Sequence, residues 1–130
     1  AVFLLDSEIV GETEPMVNIF MNKMKNKGFR KMLDEEFAIH TDACIDDFLH
    51  GNVKSLFGNV KKLSKVVLTN FKPMIPKAFH KIWEQGIITN DYYLKLCGSG
   101  GGGYILGFTE DYEKAKEKLQ GYRLELVYRF

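Results

Sequence analysis

The sequence predicts an α+β fold: an antiparallel sheet of the ferredoxin-like, or split βαβ, type with several helices packed on one face. Two observations support this prediction. Apolar segments with strand-like alternation lie at the start of the chain, near position 100 and at its end. Segments with three- and four-residue apolar spacing lie between them, which gives the order strand, helices, strand, strand, helix, strand.

Size and composition are those of a single globular domain, which we assign to residues 1–130. Apolar residues make up 45% and charged residues 27% of the chain, and the formal net charge is +1. This balance predicts neither nucleic-acid binding nor attachment to an anionic membrane. No apolar run is long enough to span a bilayer, so we expect a cytoplasmic protein. Cys44 and Cys97 are expected to be reduced thiols, although their spacing does not exclude a disulfide.

The chain opens with a predicted strand over 2–9, which ends before Gly11. A helix then begins with Thr13 as its N-cap and with Pro15 in its first turn, where the missing N–H group does no harm. Its apolar residues recur at helical spacing, and Gly28 is expected to end it. The chain starts inside an apolar run without an initiator methionine, so we expect a fragment that lacks an N-terminal part.

Further helices fill the middle of the sequence. Each carries an apolar stripe, and the acidic pair Asp46 and Asp47 is expected to face solvent. Gly86 is expected to end the last of these helices. The predicted helices cover about 29–49, 53–67 and 76–85.

Strands and one short helix complete the chain. Two strands are predicted over 92–97 and 104–108, followed by a helix over 110–119. The last strand, over 123–130, alternates clearly and is expected to bury the face that carries Leu124 and Leu126.

A glycine-rich loop separates the two central strands. Five of the 12 glycines fall within six consecutive positions, around a single serine. One interpretation is a wide hairpin connection, although hairpin turns usually need only one or two glycines. The other is an anion-binding loop whose successive N–H groups converge on a phosphate. The predicted phosphate-binding residues are Gly98, Ser99, Gly100, Gly101, Gly102 and Gly103.

Lys95-Leu96-Cys97-Gly98-Ser99, followed by four glycines, resembles the third motif of the GHMP kinases, a Lys-x-x-Gly-Ala-Gly-Gly-Gly-Gly loop. Ser99 stands where alanine is usual, which is a small-for-small change. The opening segment Phe3-Leu4-Leu5-Asp6-Ser7, with Thr13 and an apolar helix after it, resembles the start of that family's C-terminal domain. Among its members the chain is most similar to mevalonate kinase.

This resemblance implies a C-terminal domain of an ATP-dependent phosphotransferase that phosphorylates a small alcohol of the mevalonate type. The glycine loop would support the ATP phosphates, and Thr13 would lie on the substrate side. The resemblance places the catalytic residues and the magnesium ligands in an N-terminal half that this sequence lacks. We therefore expect no catalytic residue and no metal ligand here, and no bound ATP or Mg²⁺ in the fragment alone, which is expected to be inactive.

An alternative from a different functional class is a stand-alone ferredoxin-like module that binds an anion or acts in assembly without catalysis. The kinase interpretation implies three partners: ATP, a small-molecule alcohol and the missing N-terminal domain. It also implies an apolar docking surface, through which the fragment could self-associate. Neither interpretation involves nucleic acid or a membrane.

Overall fold

The computed structural model describes every residue from Ala1 to Phe130. Four strands and six helices follow the predicted order. The strands are β1 (Val2–Asp6), β2 (Tyr93–Leu96), β3 (Tyr104–Phe108) and β4 (Arg123–Tyr128). The helices are α1 (Thr13–Lys23), α2 (Lys27–Met32), α3 (Ala38–Leu49), α4 (Val53–Asn70), α5 (His80–Thr89) and α6 (Tyr112–Lys118). A π-helical segment, Leu33–Phe37, joins α2 to α3, and two 3₁₀ turns, Lys72–Met74 and Lys77–Phe79, precede α5.

The four strands form one antiparallel sheet in the order β2-β3-β1-β4. β1 lies inside the sheet, where Phe3 is opposite Gly107 and Leu5 is opposite Ile105 of β3. The pattern of one central pair flanked by β2 and β4 is consistent with a ferredoxin-like sheet. The predicted α+β class and antiparallel sheet are confirmed.

The helices lie on both faces of the sheet, so the expectation that they pack on one face was wrong. Phe3 lies on one face, 6.1 Å from the ring of Tyr112 in α6. Val2, on the opposite face, lines a cavity together with side chains of α3 and α4. The physical reason is visible in β1, an uninterrupted apolar run that can be buried on both faces.

The hydrophobic core contains 22 buried residues from the sheet and the helices. Trp83 of α5 is fully buried, and its indole N–H donates to the Ser64 carbonyl of α4 at 3.2 Å. Gly107 allows the Phe3 ring to lie directly against the sheet, because a Cβ at position 107 would occupy the space of that ring. The core therefore holds β1 and β3 in place, and the glycine loop leads directly into β3.

Two glycines do not end helices as expected. Gly28 lies inside α2, because α1 already ends at Lys23. The side chain of Asn26 caps α2 by accepting a hydrogen bond from Phe29 N–H at 3.1 Å. Gly86 lies inside α5, where a Cβ would collide with Tyr92. α5 instead ends before Asn90, which adopts a left-handed conformation with φ of 60°.

Two burial predictions were also wrong. β4 has no fully buried residue, because it packs mainly against β1, whereas β2, the other edge strand, also packs against α4 and α5. Asp47 is buried rather than solvated, and its carboxylate accepts a hydrogen bond from Asn59 Nδ2 at 2.7 Å. Hydrogen bonds from the side chains of Ser55 and Asn59 lower the pKa of Asp47 below its usual value.

α1 is the most exposed of the longer helices. None of its residues is fully buried, and Val17 and Met21 are both about half exposed. Ile9 and Val10, in the preceding connection, are also exposed. We call these four residues the α1 patch.

No helix of the chain is long and apolar enough to cross a membrane. Cys44 and Cys97 are both free thiols, as expected from the sequence.

Candidate functional site

The glycine loop joins β2 to β3, which are hydrogen-bonded neighbours in the sheet. Four of its glycines have φ angles in the left-handed region, a conformation that other residues adopt at a cost. These are Gly98 at 61°, Gly100 at 77°, Gly101 at 79° and Gly103 at 68°. The local backbone therefore requires more glycines than a two-residue hairpin turn would.

One side of the loop is held by the connection between β1 and α1. Gly103 N–H donates to the Ile9 carbonyl at 2.8 Å, and Ser7 N–H donates to the Gly103 carbonyl at 3.0 Å. The approach is close, because a Cβ on Gly102 would lie 2.6 Å from the Ile9 carbonyl oxygen. These contacts bring the predicted phosphate loop next to the segment that leads to Thr13.

The other side of the loop rests on the 3₁₀ turn Lys72–Met74 and on the start of α1. Gly101 N–H donates to the Met74 carbonyl at 2.6 Å. The Met16 side chain covers Gly101, where an added Cβ would lie 2.7 Å from its sulfur atom. A Cβ on Gly100 would likewise lie 2.6 Å from the Met74 carbonyl oxygen. The loop is thus fixed between two segments that are distant in sequence.

The N–H groups of the loop divide into two sets. Those of Gly101 and Gly103 are bonded to carbonyls of the chain. Those of Gly98, Ser99, Gly100 and Gly102 have no acceptor within the chain. Gly100 is itself buried, and a buried N–H group without a partner is uncommon in folded proteins. The loop therefore presents four donors that could bind an anion, rather than six.

Thr13 does not cap the helix. Glu12 is the N-cap residue, with φ of −116° and ψ of 122°, and its side chain makes no capping hydrogen bond. Thr13 is the first residue of α1 and is exposed. The expectation of a Thr13 N-cap was therefore wrong, because the chain enters the helix one residue earlier. The threonine hydroxyl makes no hydrogen bond within the chain.

Charged side chains of both signs lie on the segments around the loop. Glu8, Glu12 and Glu14 are exposed carboxylates in the connection and in the first turn of α1. Lys95 lines a small cavity together with Gly98, and Lys72 belongs to the 3₁₀ turn that supports the loop.

The chain contains no preformed metal cluster. No group of three or more His, Cys, Asp or Glu side chains is placed to hold a metal ion. His80, the histidine that contacts the supporting 3₁₀ turn, directs its Nε2 at the carbonyls of Ile75 and Lys72, at 2.8 and 3.1 Å.

Sequence analysis missed the groups that hold the loop in place. The acceptors are the main-chain carbonyls of Ile9 and Met74, which any residue type could supply.

Sequence analysis also missed an ion pair away from the loop. Asp91 is buried, and its carboxylate lies 2.6 Å from Lys114 Nζ. The hydrogen bond from Lys114 lowers the pKa of the Asp91 carboxyl. This ion pair links α6 to Asp91, which lies just before β2.

No protein-family model matches the sequence, and no curated protein matches it. The chain is similar to a solved structure described as a Lin0012 protein from Listeria innocua, with a TM-score of 0.77 and 13% sequence identity. The match covers 95% of this chain and 38% of that chain. This chain thus corresponds to well under half of the length of that protein. At this identity the similarity shows a shared fold and nothing about activity.

Proposed function

We propose that the chain is the C-terminal domain of an ATP-dependent GHMP-type kinase that phosphorylates a small alcohol of the mevalonate type. One observation carries the proposal: four N–H groups without acceptors lie in a loop that is fixed beside the N-terminus of α1. A loop fixed on both sides suits a phosphate, because its N–H donors need little reorganisation when the anion binds.

The loop would act on the phosphate end of the nucleotide. Gly98, Ser99, Gly100 and Gly102 would donate N–H groups to phosphate oxygens, while Gly101 and Gly103 keep the loop in position. When bound, ATP supplies the phosphoryl group that is transferred. Phosphoryl transfer depends mainly on positioning and on neutralisation of charge. In the proposed kinase, the N-terminal half would contribute the Mg²⁺ ligands and further cations.

Thr13 would contact the acceptor alcohol. It lies at the first turn of α1, whose initial N–H groups have no capping side chain, and its hydroxyl has no partner in the chain. The Gly102–Gly11 contact joins the two parts of the site, because an added Cβ on Gly102 would lie 2.7 Å from Gly11 N. A phosphate at the loop and an acceptor near Thr13 would therefore occupy adjacent positions.

The α1 patch supports a larger parent protein. Ile9, Val10, Val17 and Met21 expose apolar surface on α1 and on the connection that contacts the glycine loop. Such a patch commonly marks an interface. A domain docked there would cover this side of the site, which fits a kinase cleft better than a stand-alone anion-binding or assembly module.

The experiment is ATP-dependent phosphorylation by the full-length parent protein, tested on mevalonate, phosphomevalonate, galactose and homoserine. We expect transfer to one of these alcohols by the parent protein and no transfer by the 130-residue chain alone. A parent protein that binds ATP at the loop without phosphorylating any alcohol would favour the stand-alone binding function. Activity of the isolated chain would contradict the proposed division of labour.

A further inference from the structure

An open apolar groove lies on the face of the sheet opposite Phe3. Its volume is about 600 Å³, which falls within the range of small-molecule sites. α3 and α4 form its walls, and the sheet forms its floor through side chains such as Leu106 and Phe108. Twelve of the fourteen lining residues are hydrophobic. None of the predicted phosphate-binding residues Gly98 to Gly103 lines the groove, although Lys95 of the groove also lines a smaller cavity with Gly98.

The two polar residues of the groove, Thr41 and Lys95, both have unused hydrogen-bonding capacity. Thr41 Oγ1 is buried and makes no hydrogen bond. Lys95 is the one charged residue in the lining, and no carboxylate lies within 4.0 Å of its ammonium group. Its Nζ donates to the Leu96 carbonyl at 3.1 Å, which leaves donor capacity unused. A half-buried cation and an unpaired hydroxyl in apolar surroundings together indicate a missing anionic acceptor.

The neighbouring thiol does not supply that anion. Cys44 also lines the groove, and burial raises its pKa to about 11. It is therefore neutral at physiological pH and cannot serve as the counter-ion of Lys95.

We propose that this groove binds an amphipathic carboxylic acid, with its hydrocarbon chain along the apolar walls and its carboxylate on Lys95 and Thr41. The carboxylate would accept charge-assisted hydrogen bonds from the ammonium and the hydroxyl. The hydrocarbon chain would cover apolar surface that is now exposed on Ile45, Phe48 and Val127. Charge complementarity selects this ligand over a neutral or cationic amphiphile.

Isothermal titration of the chain with dodecanoate, dodecanol and dodecyltrimethylammonium tests the proposal. We expect dodecanoate to bind with one-to-one stoichiometry and about 10-fold or more tightly than dodecanol, because a hydrogen bond to a charged group is among the strong ones. The cationic amphiphile should bind more weakly than either. Equal binding of all three ligands would show that the groove is a nonspecific apolar surface and would overturn the proposal, as would the absence of dodecanoate binding.

Two matched pairs of variants test the roles of the residues. Lys95→Met should weaken dodecanoate binding about 10-fold and leave dodecanol binding unchanged, whereas Lys62→Met, at an exposed site of α4, should change neither. Ile45→Glu should repel dodecanoate, while Ile39→Glu, at a similarly exposed site of α3 outside the groove, should not. Circular dichroism controls for folding, and the unaltered dodecanol affinity of Lys95→Met shows that the groove is intact.

A second copy of the chain is the competing occupant. Light scattering at each protein concentration measures association in parallel with binding. If dodecanoate fails to bind and Ile45→Glu alone converts a dimer to a monomer, the groove is an interface between copies and the proposal is wrong. Thr41→Val provides an independent check, because it should weaken dodecanoate binding while removing the cost of an unpaired buried hydroxyl.

Discussion

Replacing Gly102 by alanine should separate the glycine loop from the connection between β1 and α1. The new methyl group would lie 2.6 Å from the Ile9 carbonyl oxygen and 2.7 Å from Gly11 N. Both atoms belong to the main chain, so no side-chain rotation can relieve the contact. The adjacent hydrogen bond from Gly103 N–H to the Ile9 carbonyl, 2.8 Å long, would lengthen or break.

The expected loss of stability follows from two effects. Overpacking at a tight contact costs about 1–3 kcal/mol, and one lost hydrogen bond costs about 0.5–1.5 kcal/mol. Together they lower the free energy of unfolding by about 2–4 kcal/mol, which corresponds to a fall in Tm of about 7–15 °C for a chain of this size.

Urea denaturation of the Gly102→Ala and Gly98→Ala variants measures the effect. Gly98→Ala is the matched control, because Gly98 has φ of 61° but an added Cβ would meet no atom within 4 Å. It should therefore lose only the roughly 1–2 kcal/mol of a left-handed backbone conformation. If Gly102→Ala is no more destabilised than Gly98→Ala, the loop is not packed against the connection as described.

Three further predictions concern other parts of the chain. Thr13→Ala in the full-length protein should raise KM for the acceptor and change unfolding free energy by less than about 0.5 kcal/mol, since Thr13 caps nothing; an unchanged acceptor KM would exclude Thr13 from the substrate site. The pKa of Asp91 is lowered in the folded chain, first by the hydrogen bond from Lys114, so its carboxylate stabilises the fold above the unfolded-state pKa of about 3.9. This stabilisation is lost as the pH falls through the folded-state pKa. In urea denaturation, the free energy of unfolding of Asp91→Asn should therefore fall less between about pH 5 and about pH 2 than that of the unaltered chain, and an identical pH dependence would refute this role. The isolated chain should self-associate through the α1 patch, and Met21→Lys should reduce this in light scattering while Ile88→Lys, at an exposed site of α5, should not; a monomeric unaltered chain at high concentration would count against the interface.

The order of elements could be predicted from the sequence because apolar periodicity reports directly on strands and helices. All four strands and the long helices appear in their predicted places. Element ends were less accessible, because a glycine is compatible both with a helix end and with close packing. Gly86 is the clear example: its lack of a side chain makes room for Tyr92 inside α5 rather than ending the helix.

Burial on the second face of the sheet could not be predicted from an alternating pattern. β1 is apolar at consecutive positions, but such a run does not reveal which elements cover each face of the strand. In the structure, α3 and α4 lie on the face that carries Val2. The exposure of β4 could not be predicted either, because an alternating pattern does not reveal which strand a helix covers. Of the two edge strands, β2 packs against α4 and α5, whereas β4 packs mainly against β1.

The special backbone conformation of the glycine loop could be predicted from the sequence, whereas its contacts could not. The glycine cluster indicated a loop with special backbone angles, and the left-handed φ values of four glycines agree with this. Which N–H groups are already bonded depends on the carbonyls of Ile9 and Met74, which leave no signature in the sequence. The division into two structural donors and four available donors therefore required the fold.

The most direct test of the central claim is ATP binding to two Ser99 variants of the full-length protein, measured by calorimetry. Ser99→Pro removes one of the four available N–H groups, and Ser99→Ala removes only the hydroxyl. We predict that Ser99→Pro weakens ATP binding about 10-fold, the effect of one hydrogen bond to a charged group, and that Ser99→Ala binds ATP like the unaltered protein. Equal ATP affinities for both variants and the unaltered protein, with folding intact, would show that the loop only connects β2 to β3.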